Sequence, residues 1–152
     1  SGDLDLHLKH PNAGSWFSQP YDCFFNNPDP DWGQLDNPRD NPFLDLDDFS
    51  GTGPENLTLA IPEDTSLLGG EYVVGVDYYE NIDRIDGWEY GPIRAYIRIF
   101  INGVPTWDYT EGGDPGFKLM NGRKHFWEVA SISWPDGIVT KIDRYYEETP
   151  QP

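Results

Sequence analysis

Asp3 and Asp5 alternate with leucine in DLDLHLK, and Asp45 and Asp47 do so again in LDLDD, with Asp48 beside them. Up to Ser50 all ten acidic residues are Asp, whereas the rest of the chain carries nine Glu and eight Asp. Carboxylates this crowded repel one another, at a cost on the order of several kcal/mol where the effective dielectric is low. A hard divalent cation removes that cost. Calcium takes about six to eight oxygens, from carboxylates, Asn side chains and backbone carbonyls, and short stiff Asp in loops suits it. Asn26, Asn27, Asp29, Asp31, Asp36, Asp40, Asn41, Glu55 and Asn56 add further loop oxygens. The competing explanation is a solvated face of ordinary turn residues. Repetition weakens it: if both DLDL stretches are strands side by side, leucines inward, four carboxylates stack on one patch, and like charges opposite each other destabilise a sheet. Calcium is therefore favoured.

Established calcium loops are absent. Asp45-x-Asp47-x-Phe49 breaks the EF-hand pattern at its fifth position, and no glycine-rich nonapeptide repeat occurs. Gly51-Thr52-Gly53 lacks the third glycine and following helix of a dinucleotide fingerprint. His7 and His10 lack the helical i, i+4 spacing of a zinc pair, and His7 is expected to orient the acidic face. There is no G-x-S-x-G elbow, and with 27 acidic residues a carboxylate pair says nothing about glycoside hydrolysis. The single Cys23, between aromatics in YDCFF, reads as a buried structural thiol. No activated nucleophile or acid–base pair is visible, so a non-enzyme is expected.

These residues must be positioned by strands. Alanine is scarce, Pro and Gly together number 30, and no long window repeats at helical spacing. DLDLHLK alternates as a half-buried strand; LTLA (57–60) and EYVVGVDYY (71–79) follow. Ile93, Ala95, Ile97, Ile99 and Ile101 share one face, leading into an Asn102-Gly103 hairpin turn. Further strands fit 117–120, 125–134 and 138–142. In HFWEVASISW the apolar residues occupy both faces, which calls for burial on both sides or a bulge. The expectation is an all-β fold: one antiparallel β-sandwich over 1–152, jelly-roll or Ig-like, of about eight strands. Residues 15–42 form a long loop carrying Trp16, Phe17, Tyr21, Phe24, Phe25 and Trp32. Such aromatic density argues against disorder and for function.

Net charge of -17 in 152 residues excludes a phosphate-binding surface, hence nucleic acid or anionic lipid as partner. No run reaches the roughly 18 apolar residues of a membrane span. Ser1-Gly2 reads as a cloning remnant, so a monomeric module excised from a larger protein is expected. Arg94 and Arg98 alternate with Tyr96 and Phe100. They either receive a ligand carboxylate or, as preferred, pair with the domain's own acids.

Three stretches in order, DLDLHLKHPN, LDLDDFSGTGPENLTL and GEYVVGVDYY, resemble the YfaP-like bacterial extracytoplasmic domain. That pattern is a D-x-D-L-H strand ending in P-[ND], an L-D-x-D-x-x-G-x-G-P-E-N turn and a G-x-Y-x-V-x-V-x-Y-Y strand. Similar domains serve as ligand-recognition modules in calcium-dependent RTX adhesins, some binding peptides. The resemblance covers the first half of the chain. It implies an extracellular or cell-surface location and a calcium site built from Asp3, Asp5, Asp45, Asp47, Asp48 and Glu55. The loop 15–42 departs from it, being longer and more aromatic.

The function expected is a calcium-dependent ligand-binding module of a bacterial surface or secreted adhesin, taking a peptide through, for instance, its C-terminal carboxylate. One alternative is a carbohydrate-binding module in which Trp16 and Trp32 stack on a glycan; another is a spacer that calcium merely stiffens.

Overall fold

The structure is a computed structural model, which describes residues 2–46, 54–79, 91–111 and 114–150. It is all-β and antiparallel, as expected. In chain order the strands are β1 (Asp3–Lys9), β2 (Asp22–Cys23), β3 (Pro42–Leu46), β4 (Asn56–Leu59), then the one-turn helix α1 (Thr65–Leu68). There follow β5 (Tyr72–Tyr79), β6 (Ile93–Ala95), β7 (Arg98–Ile101), β8 (Val104–Asp108), β9 (Thr110–Glu111) and β10 (Asp114–Pro115). β11 (Lys118–Met120), β12 (Phe126–Ile132) and β13 (Val139–Tyr146) complete the order. Strands are more numerous and shorter than anticipated because long ones are interrupted: the isoleucine strand is broken at Tyr96-Ile97 into β6 and β7.

One sheet dominates, in the order β13-β12-β5-β1-β2. Its register places Leu4, Leu6 and Leu8 opposite Tyr78, Val76 and Val74, and Trp127 opposite Val76, so all share one face. Against that face pack Leu44, Ala95, Ile99, Tyr109 and Met120 from the ribbons β3–β4, β6–β11 and β7–β8 and the segment joining β8 to β9. This is the sandwich core. The hairpin at Asn102-Gly103 has both residues at positive φ, 52° and 75°, as its two-residue turn requires.

In HFWEVASISW both anticipated explanations hold. Residues Phe126 to Ser131 are all buried, and the register shifts between Glu128 and Ala130 against both neighbouring strands. Val129 is the inserted residue, and the parity change returns Ala130 to the core face beside Trp127. On β13 the compensating irregularity leaves Asp143 at φ 54°. There it accepts the Trp127 indole N–H at 2.9 Å and pairs with Lys118 at 2.7 Å.

The second face of the sheet departs from the expectation that the Asp-bearing side looks to water. It carries Asp3, Asp5, His7 and Lys9 of β1, Asp77 and Gly75 of β5, and Phe126 and Glu128 of β12. The loop 15–42 lies over it as an aromatic lid. Trp16, Phe17, Phe24 and Phe126 surround His7 with ring centroids 4.7–5.9 Å away. The lid approaches closely only because position 75 is glycine: a Cβ there meets Trp16 and Phe126 ring atoms at 2.7 Å.

Candidate functional site

β1's alternation sends Asp3 and Asp5 to the lid face, and its pairing with β5 sets Asp5 opposite Asp77 and Asp3 opposite Tyr79. On its other edge β1 is covered by β2 only at Leu8 and Lys9. Nearer its start the edge is met by a side chain: Leu6 N–H donates to Glu55 Oε2 at 2.6 Å. Glu55, just ahead of β4, is thereby drawn to the Asp end of β1. One oxygen each from Asp3, Asp5 and Glu55 lies within 4.8 Å of the others. Oxygens sharing one calcium at about 2.4 Å stand at most about 4.8 Å apart, a limit that these three meet. Asp5 is 3% exposed, and Asp3 and Glu55 are partly buried. The donors are all carboxylate oxygens, a hard set that suits calcium or magnesium rather than zinc or copper.

Two titratable groups beside this cluster were not singled out from sequence. Asp77 faces Asp5, and burial pushes its carboxyl up to about 6; His7 and a bond from Thr149 pull it back, while Asp22 adds to the rise. Thr149 Oγ1 stands 2.9 Å from Lys124 O and 3.2 Å from Asp77 Oδ1. The single hydroxyl proton is shared between these two acceptors. His7 is fully buried, and its Nδ1 lies 2.9 Å from Asp22 Oδ2, which also accepts from Phe17 N–H. The signal for Asp77 was a lone acid inside the apolar run VVGVDYY; Asp22 had no comparable signal.

The other anticipated site residues lie elsewhere. The two DLDL stretches are not neighbours in one sheet: β1 pairs with β5 and β2, whereas β3 pairs with β4 in a separate ribbon. Asp45 is the exposed inserted residue of a bulge between Leu44 and Leu46, and its two oxygens accept from Asn56 Nδ2 at 2.8 and 2.9 Å. It is not in the Asp3 cluster. Asp47 and Asp48 fall outside the described residues.

Trp16 and Trp32 form no exposed platform. Trp16 is 3% exposed, donates to Glu128 Oε1 at 2.8 Å and carries Lys9 Nζ 4.6 Å above its ring. Trp32 is 2% exposed, donates to Pro20 O at 2.6 Å and stacks on Tyr72. Both belong to the lid's own packing, where a buried indole needs an acceptor for its N–H. Arg94 and Arg98 are exposed on the outer face of β6 and β7. Arg94 sits 4.7 Å over Phe117, and Arg98 pairs with Asp108 at 2.6 Å, as the preference for internal acids anticipated. Cys23 is a free buried thiol pushed up to about 12, chiefly by burial, which leaves it unreactive at neutral pH.

These features define an all-β chain that, among the described residues, carries an oxygen-rich acidic cluster at the end of its main sheet. Comparison with protein-family models, curated proteins and solved structures finds no match.

Proposed function

We propose that this chain is a calcium-dependent, non-catalytic ligand-binding module of a bacterial surface or secreted adhesin. The observation that carries this reading is the meeting of Asp3, Asp5 and Glu55 oxygens within 4.8 Å. Three carboxylates supply three to six of calcium's oxygens, according to how many bind through both. The remainder of the shell is left to backbone, water or a ligand oxygen such as a peptide's terminal carboxylate. The resemblance to the YfaP-like domain, which also implies Asp45, Asp47 and Asp48, supports the same assignment for Asp3, Asp5 and Glu55.

A melting curve in calcium and in chelator tests the metal. At an ion concentration one hundred times Kd, linkage adds about 2.7 kcal/mol. For a chain of this size that raises the melting temperature by roughly 5–10 °C. Equal melting in both conditions refutes calcium binding. Titration calorimetry with one peptide as free acid and as C-terminal amide, in calcium and in chelator, tests the ligand: heat is expected for the free acid in calcium alone.

One observation favours the spacer reading. Glu55 both accepts from Leu6 and joins the cluster, so an ion there ties the β3–β4 end of the chain to the main sheet. On that second reading calcium stabilises the chain and neither peptide gives heat. The glycan reading loses its platform, since Trp16 and Trp32 are buried.

A further inference from the structure

A concavity of about 670 Å³ opens between α1 and the turn after β12. It lies at the other end of the main sheet, where Tyr72 pairs with Ile132. With a strand rise of about 3.3 Å, the distance along β5 from Asp77 to Tyr72 is about 17 Å, so this surface is separate from the acidic cluster. Trp134 and Pro135 form one wall and Thr65 the other, with Asp64, Glu71 and Asp136 around them; none of the lining residues is Lys, Arg or His.

We propose that this groove docks a cationic side chain, lysine or arginine, from a protein partner. Trp is the aromatic that attracts a cation most strongly, and Trp134 lines the concavity together with three carboxylates. Their ligand atoms do not converge: among the described residues the group close enough for a metal is Asp3, Asp5 and Glu55. Dispersed acids around an indole match an organic cation, whose charge is spread and whose stem is apolar, better than a bare ion. The walls are fixed in advance. Thr65 N–H donates to Trp134 O and Trp134 N–H to Thr65 Oγ1, both at 3.0 Å. Asp64 Oδ1 caps Ser66 and Asp136 Oδ1 accepts from Ser133 Oγ. A rigid groove of this kind loses little ordering entropy on binding. The net charge of -17 draws cationic partners toward the whole molecule, so the test must separate docking from general attraction.

The experiment is an NMR titration of the isotope-labelled chain with a blocked tetralysine peptide, its tetra-acetyllysine counterpart and a blocked tetraarginine peptide, at about 150 mM salt. It is run in calcium and again in chelator. Saturable shifts at the Trp134 indole and the Thr65, Glu71 and Asp136 amides are expected for both cationic peptides and absent for acetyllysine. Trp134→Leu is expected to weaken binding about tenfold. The double variant E71Q/D136N, whose two positions are exposed, is expected to do the same without a folding risk. Shifts scattered over all acidic surfaces, binding unaltered by both variants, or equal binding of acetyllysine each overturns the proposal. Docking is expected with and without calcium, so its outcome is independent of the fate of the calcium site.

Discussion

Replacing Asp77 by Asn is the sharpest probe of the buried acidic face. The Asp77 carboxyl titrates at about 6 in the folded chain against 3.8 for the free group, with burial the leading cause. The folded state thus binds the extra proton between those values, so stability falls as pH rises from about 4 to about 6 and levels off above 7. Roughly two units at 1.36 kcal/mol each place the cost near 3 kcal/mol at pH 7, an order-of-magnitude figure. Asn does not titrate, and its Oδ1 can still accept from Thr149 Oγ1. Asp77→Asn is therefore expected to match the parent at pH 4 and to exceed it at pH 7 by about 2–3 kcal/mol. Urea unfolding of both proteins in chelator at half-unit steps of pH measures the gap. Other carboxylates titrate in the same range but cancel in the difference. A gap constant from pH 4 to pH 7 refutes the claim that a buried proton sits on Asp77. With calcium added, a cation at Asp5 favours the ionised form across the strand, and the gap is expected to shrink.

Glu55→Gln is expected to raise the calcium concentration needed for half-maximal stabilisation at least tenfold, whereas Asp45→Asn, which removes no member of the cluster, leaves it unchanged; calcium-dependent melting checks both. Gly75→Ala places a methyl against Trp16 and Phe126 and is expected to cost about 1–3 kcal/mol by overpacking, seen as a lower urea midpoint. Arg98→Ala breaks an exposed pair with Asp108 and is expected to leave the melting temperature unchanged within error.

Local signals were legible where short-range physics decides. Asn102-Gly103 specifies its hairpin, and the two-sided hydrophobicity of HFWEVASISW called for burial on both sides or a bulge, of which the structure contains both. The alternation of DLDLHLK correctly placed Asp3, Asp5 and His7 on one face. What that face would meet was not legible, because it depends on a loop folding back over residues far along the chain. Trp16 looks the same in sequence whether it stacks on a sugar or on Phe126. The adjacency of the two DLDL stretches also failed for a long-range reason: pairing partners of strands are chosen by the whole sheet, and β5 took the place beside β1. Glu55 was reached from sequence by resemblance; its physical reason is the half-covered edge of β1, which only the register reveals.

The lid face divides into two halves with different chemistry. Under the aromatics, polar groups are matched to one another: Lys9 to the Trp16 ring, the Trp16 indole to Glu128, and His7 to Asp22. Each match joins a donor or a cation to an acceptor and offsets part of the cost of burial, although among the described residues His7 Nε2 and Asp22 Oδ1 have no hydrogen-bond partner. Toward the start of β1 the order changes, and acid meets acid: Asp5 opposite Asp77, with Asp3 and Glu55 oxygens beside Asp5. Crowding of this kind has two physical remedies, a proton or a cation. Asp77 takes the first, its carboxyl lifted toward neutral pH chiefly by burial, with Asp22 adding to the rise. On the function proposed above, the convergent oxygens take the second, since a proton serves one pair of oxygens while a divalent ion serves three carboxylates together. The two remedies respond oppositely to pH: protonation strengthens as pH falls, whereas calcium is displaced by acid. A chain stabilised by calcium at pH 7.5 but indifferent to it at pH 4.5 is the behaviour that both remedies on one face require.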